Sequence, residues 1–294
     1  MASALAAAYR EFQGQSVPTD RMQRLAMTRQ MMDSMETNSP AGRDEVIGGV
    51  PCRVFRGPQD AGLYLHFHGG AMMVGHPRMQ DDAHAAMSER LGISIVSVDY
   101  RLAPEHPFPA GGDDCFAVAR EVLSTHSGPL VLGGESAGAY YAALTLLRIR
   151  DELGAAERVT GANLAFGVYD LSGTPSQFGV RPSEAPDVLG GETFDDVLAA
   201  YTPGLSRLDV RRPEISPMYA PLHDLPDALF TVGTADHLLD DNLFMAQRWS
   251  VWGNEAELAV YPDCPHAFTS HPTQLARVAT TRIDEHIAGC MRRG

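Results

Sequence analysis

Two kinds of apolar pattern alternate along this 294-residue chain. Short, nearly continuous apolar runs of strand length occupy 45–55, 62–68, 93–99, 129–134, 161–168, 227–233 and 256–261. Between them, helical spacing of apolar residues begins near 79, 110, 137, 238 and 271. This alternation predicts a mainly parallel sheet with helices on both faces. The runs 45–55 and 62–68, joined through Gly57-Pro58-Gln59-Asp60, are expected to form an antiparallel hairpin at one edge. Two stretches break the pattern. Residues 1–38 read as two helices separated near Pro18, and Met22, Leu25, Met27, Met31, Met32 and Met35 dominate the second. Residues 37–44 read as a polar linker. Residues 171–226 are rich in Pro and Gly and hold one clear helix, near 192–201. No internal repeat is present.

Composition narrows the function classes. Hydrophobic residues make up 44% of the chain, enough for one large core. The formal net charge of −14 argues against nucleic acid as a partner, because phosphate binding needs clustered Lys and Arg. It disfavours anionic membrane surfaces as well. No apolar run reaches the length of a membrane span. The alanine-rich start, Met1 to Arg10, has no basic region before its apolar stretch and predicts no signal peptide. Cys52, Cys115, Cys264 and Cys290 show no C-x-x-C spacing, which points to reduced thiols and a cytoplasmic location. Cys115 falls in a predicted helix as a small buried apolar residue.

The chemistry concentrates after the run Pro129-Leu130-Val131-Leu132, in Gly133-Gly134-Glu135-Ser136-Ala137-Gly138. A serine on a sharp strand-to-helix turn is strained, and small neighbours two residues on either side give it clearance. The N–H groups at the start of the helix favour negative charge beside it. Ser136 is therefore the candidate nucleophile; its alternative reading is an ordinary helix cap. A serine needs a base, and the base an orienting acid. His266, in the loop after strand 256–261, is the candidate base, with His271 as its rival. His286 reads as a solvated surface group. Asp236, at the end of strand 227–233, is the candidate acid, and Asp170 its rival. Asp240 and Asp241 read as caps of the helix running to Trp252. The glycine turn His68-Gly69-Gly70-Ala71 after strand 62–68 offers backbone donors, so Gly69, Gly70 and Ala137 are the expected oxyanion hole. His68 is expected to pin that loop. Arg101 is expected to pair with Asp99 or Glu105 in a structural ion network beneath it. Ala71, Met72, Glu135, Phe178 and Tyr201 are candidate substrate contacts, with Met73 and Phe194 as further pocket walls.

Together these segments resemble the hormone-sensitive-lipase-like carboxylesterases, bacterial family IV of the α/β-hydrolases. The matching stretches are His68-Gly69-Gly70-Ala71, Asp99 to Glu105, Gly134-Glu135-Ser136-Ala137-Gly138, Asp236-His237-Leu238-Leu239-Asp240 and His266-Ala267-Phe268. They occur in family order, from about residue 45 onward. The resemblance implies an α/β-hydrolase core at 45–170 and 227–294, a helical lid segment at 1–44 and a second lid insertion at 171–226. It places nucleophile, acid and base on Ser136, Asp236 and His266, and the oxyanion donors on Gly69, Gly70 and Ala137. Departures from the pattern are Ala71 for a third glycine, Glu135 before the serine, His237 where proline is common, and Ala267 after the base. The implied activity is hydrolysis of short- to medium-chain esters through an acyl-enzyme, with no cofactor or metal and a homodimer as the expected assembly. An amidase, lactonase or deacetylase would use the same triad. A non-catalytic small-molecule receptor on this scaffold, as in plant gibberellin receptors, would have lost the histidine that this chain keeps.

Overall fold

A computed structural model describes residues 20–34, 36–59, 61–179 and 193–293. The helix expected before Pro18 lies outside them. The chain builds one eight-stranded sheet from β1 (Gly42–Ile47), β2 (Val50–Phe55), β3 (Leu63–Phe67), β4 (Ser94–Val98), β5 (Leu130–Glu135), β6 (Gly161–Ala165), β7 (Ala228–Gly233) and β8 (Ala256–Tyr261). Their spatial order is β1-β2-β4-β3-β5-β6-β7-β8. From β4 to β8 every pairing is parallel, and β1 and β2 run antiparallel at one edge. The runs that form β3, β4, β6 and β7 are buried on both faces, as a parallel sheet covered by helices requires, whereas β1 and β8 at the sheet's edges are partly exposed.

The expected hairpin is placed differently. The run 45–55 is not one strand: it reverses at Gly48 and Gly49, with φ of 59° and 83°. Two residues at positive φ make the tight turn whose twist suits a hairpin, so β1 pairs with β2. β2 then pairs with β4, which separates it from β3. The polar linker ends earlier than expected for the same reason, since β1 starts at Gly42.

The helices are α1 (Arg21–Asp33), α2 (Asp81–Leu91), α3 (Ala110–Thr125), α4 (Ala137–Arg148), α5 (Pro175–Gly179), α6 (Phe194–Tyr201), α7 (Leu239–Val251) and α8 (Gln274–Met291). The starts of α3 and α4 coincide with expectation. Short 3₁₀ turns at 77–80 and 268–270 delay α2 and α8 by two or three residues. Thr193 and Asp196 cap α6 reciprocally. Of the methionine-rich α1, only Leu25, Thr28 and Met32 are buried, while Met22 is exposed. Arg29 on this helix donates to the carbonyls of Met73 and Ala103 and pairs with Glu105. That pairing corrects the expected ion network. Arg101 instead binds Asp114 through its backbone N–H and its guanidinium, because α3 brings Asp114 beneath it. His286 is corrected too: it faces the sheet from α8 and its Nε2 lies 3.0 Å from the Ala162 carbonyl. Cys115 is fully buried in α3, as read.

α4 lies closer to the sheet than side chains allow. A Cβ on Gly138 would sit 1.8 Å from the Phe67 carbonyl oxygen, and one on Gly134 would sit 2.1 Å from it. Gly112 on α3, by contrast, would bring its Cβ no nearer than 3.9 Å to Tyr141. Gly138→Ala should therefore lower unfolding free energy by about 2–3 kcal/mol through overpacking. Gly112→Ala should raise it by about 0.5–1 kcal/mol, the usual helix preference. Urea denaturation midpoints of the two variants check the contrast.

Candidate active site

Ser136 joins β5 to α4 with φ 56° and ψ −119°, a conformation non-glycine residues avoid. Its N–H donates to the Ala165 carbonyl at 2.9 Å, and Tyr140 donates back to its carbonyl. The turn presents Oγ to His266, whose Nε2 lies 3.0 Å away. On the other side of the ring, Nδ1 is 3.0 Å from both carboxylate oxygens of Asp236. Asp236 follows β7, His266 follows β8, and both loops leave the sheet at its C-terminal edge, as Ser136 does. The ring of Phe166 packs edge-on against His266 at 5.2 Å.

Burial would penalise the Asp236 carboxylate. His266, His237 and the Leu238 N–H more than offset that cost and hold the group below its usual range. An ionised Asp236 accepts from Nδ1–H and leaves Nε2 free to accept from the Ser136 hydroxyl. The rival carboxylate, Asp170, is taken up elsewhere, by the Tyr219 hydroxyl and by the Ser172 N–H and hydroxyl.

The glycine loop after β3 meets this turn. A Cβ on Gly69 would lie 3.4 Å from the Ser136 Cβ. One expected donor is corrected: the Gly69 N–H is spent on the Glu135 carboxylate, at 2.8 Å. The N–H groups of Gly70, Ala71 and Ala137 have no protein partner among the described residues. Gly70, Ala71 and Met72 take φ of 126°, 52° and 61°, which turns the loop tightly back. His68 pins this loop as expected. Its Nδ1 lies 2.8 Å from the Gly69 carbonyl, its ring stacks on Tyr100, and Tyr100 donates to its carbonyl. Burial pushes its pKa down to about 3, so it stays neutral.

Several candidate contacts have other duties. Glu135 ties elements together: besides Gly69 it binds Gln80 and His66, and His66 in turn binds Ser97. Met72 and Tyr201 are core residues. Tyr201 packs on Tyr140, Tyr141 and Phe108, and the Met72 carbonyl accepts from Ala103. Phe178 is exposed beneath the Arg207 guanidinium. Met73 is buried, while Ala71 and Phe194 are partly buried against the core.

Two neighbours of the acid have surroundings that the sequence did not reveal. His237 lies with its ring 4.8 Å from that of His266 and its side chain exposed to solvent. Asp241 does not cap α7. It is fully buried and accepts from the N–H groups of Tyr169 and Asp170, from the Thr174 hydroxyl and from the Gln177 amide. Asp240 binds the Ser176 N–H. One turn of helix after Asp236 thus anchors the segment leading into α5. Only donors more than sixty residues distant in sequence reveal that role.

A family model for the alpha/beta hydrolase fold matches residues 64–270. The chain belongs to the hormone-sensitive-lipase-like carboxylesterases of that fold. It is a carboxylic ester hydrolase. Carboxylesterase NlhH of Mycobacterium tuberculosis is 28% identical over 274 residues, covering 87% of this chain and 83% of the relative. The versiconal hemiacetal acetate esterase of Emericella nidulans is 40% identical over 129 residues, 42% of this chain and 44% of that enzyme. Among solved structures, a hormone-sensitive lipase from a metagenome library superposes with a TM-score of 0.79 at 27% identity, covering 98% and 97% of the two chains. Among the described residues of this esterase, no helix is long and apolar enough to cross a membrane.

Asp241 generates a pH prediction. Burial raises its carboxyl to about 6 in the folded esterase, against 3.8 for the free group. A raised folded pKa means its stabilising contribution is complete below the unfolded value and is lost as pH rises through about 6. Between pH 8 and pH 5 this one group should add about 1 kcal/mol of stability. Urea denaturation at both pH values should show that gain in the wild type and its loss in Asp241→Asn.

Proposed function

We propose that this esterase cleaves short- to medium-chain esters with Ser136 as nucleophile, His266 as base and Asp236 as the orienting acid. The unbroken chain of 3.0 Å contacts from Ser136 Oγ through His266 to Asp236 carries the reading. His266 Nε2 takes the hydroxyl proton as Oγ attacks the ester carbonyl, and ionised Asp236 stabilises the imidazolium. The N–H groups of Gly70, Ala71 and Ala137, unspent on the two turns that meet at the nucleophile, receive the developing oxyanion. His266 then returns the proton to the leaving alcohol. Water, activated by the same nitrogen, hydrolyses the acyl-enzyme.

Glu135 acts one step back, by holding Gly69 and so the loop that carries Gly70 and Ala71. The methyl of Ala71 narrows the place beside the scissile carbonyl, which favours the short end of the acyl range. The acetate named for the versiconal esterase agrees with that preference. We further assign α1 and the described residues of 171–179 and 193–226 to a lid over the site. The contacts of Arg29 with Met73 and Ala103 tie α1 to the end of the glycine loop and support this assignment.

Ser136→Ala should lower ester turnover by roughly four to six orders of magnitude with the fold intact, measured on a chromogenic acetate and butyrate. Asp236→Asn should cost up to about 10⁴ and Asp170→Asn far less. The opposite order would move the acid to the loop after β6. A panel of esters, amides and lactones separates the esterase from an amidase or lactonase on the same triad. Glu135→Ala should reduce kcat by roughly 10- to 100-fold, below the cost of deleting an oxyanion donor outright. Its KM should change little, and a boronic acid transition-state analogue should bind correspondingly more weakly.

A further inference from the structure

We propose that Asp33, Glu36 and His76 form a binding site for a divalent metal ion of the zinc class, which fastens the end of α1 to the segment following the glycine loop. The trio lies outside the catalytic constellation. Asp33 is the last residue of α1, Glu36 follows one turn later, and His76 stands just before the 3₁₀ turn at 77–80. Nε2 of His76 is 3.5 Å from Asp33 Oδ1 and 3.3 Å from Glu36 Oε1. All three donor atoms lie within 4.8 Å of one another.

His76 Nε2 stands at ion-pair distance from both carboxylates but hydrogen-bonds neither, and the spacing suits a metal. Nε2 is shielded from solvent and has no hydrogen-bond partner among the described residues, although two carboxylates flank it. Ligands about 2.0–2.2 Å from a tetrahedral ion stand about 3.3–3.6 Å apart along the tetrahedron's edges. Both separations fall in that interval. The imidazole argues against calcium and magnesium, which take oxygen ligands. One imidazole and two carboxylates, with a fourth position for water, suit zinc or cobalt.

The two ligand-bearing segments are already held together. Glu36 N–H donates to the Asp33 carbonyl, and Thr37 N–H donates to the Arg78 carbonyl. The nearby Arg78 guanidinium is engaged by Asn38 and Asp44. A bound ion would add a second fastening to the one Arg29 makes midway along α1. It would also brace residues 68–76 from their far end.

The test uses the full chain and cobalt as probe. One equivalent of Co²⁺ should give the visible bands of a tetrahedral site. His76→Gln should abolish them, and the surface double variant Asp33→Asn/Glu36→Gln should weaken binding at least about 100-fold, beyond the cost of losing an outer-shell partner. Zinc at about a hundredfold excess over Kd should raise Tm by roughly 5 °C in the wild type and in neither variant. The absence of saturable binding would overturn the proposal. So would binding that survives both variants and disappears in His237→Ala, which would put the ion at Asp236, His237 and His266.

Discussion

Where α4 begins, its backbone lies against the Phe67 carbonyl at the end of β3, and only glycine at 134 and 138 leaves room for that contact. The rest of the site follows from it. Close approach lets the chain turn from β5 into α4 within one residue and forces Ser136 to positive φ. Such a conformation costs about 1–3 kcal/mol and persists only where the surroundings hold it. Here the holding groups are the Ala165 carbonyl, the parallel pairing of β5 with β3 and β6, and the buried face of α4. The same contact brings the end of β3, and with it the glycine loop, beside the nucleophile.

Electrostatics completes the arrangement by giving the buried carboxylates, and the half-buried Glu135, several donors each. Asp236 has His266 and the Leu238 N–H, Asp241 has four donors, and Glu135 has Gly69, Gln80 and His66. Asp81, fully buried, faces Arg53 and the Ser39 N–H. A buried charge without such partners would be neutralised or would destabilise the fold. Each carboxylate also joins segments distant in sequence: Asp241 secures the approach to α5, Glu135 secures the glycine loop, and Asp81 secures the entry to β1. In a chain with net charge −14, the acidic residues that matter to the site are the few removed from water.

Much of this was legible beforehand because it is local. The strand–turn–helix around Ser136, the alternation of strands and helices, the glycine loop and the loops bearing Asp236 and His266 are short-range patterns whose residue types have few other uses. The hairpin was misplaced because a two-glycine turn inside an apolar run looks like continuous strand until pairing partners are known. Arg101, His286, Asp240 and Asp241 were misread for one shared reason. Each is a polar residue whose partner, Asp114, the Ala162 carbonyl, Ser176 or the Tyr169–Gln177 segment, comes from another element.

The sequence by itself thus determined the order of elements, the strained turn and the residue types able to carry acyl transfer, since strand and helix periodicity and glycine's freedom act over a few residues. Tertiary structure alone decided which N–H groups remain unspent. Gly69 and Gly70 are equivalent as letters, and only the arrival of Glu135 from a strand 66 residues away takes one and leaves the other. Folding also decided which carboxylate meets His266 and which acidic residues leave water. A hydrogen bond between distant segments depends on where the whole sheet places their ends, and no local pattern encodes that.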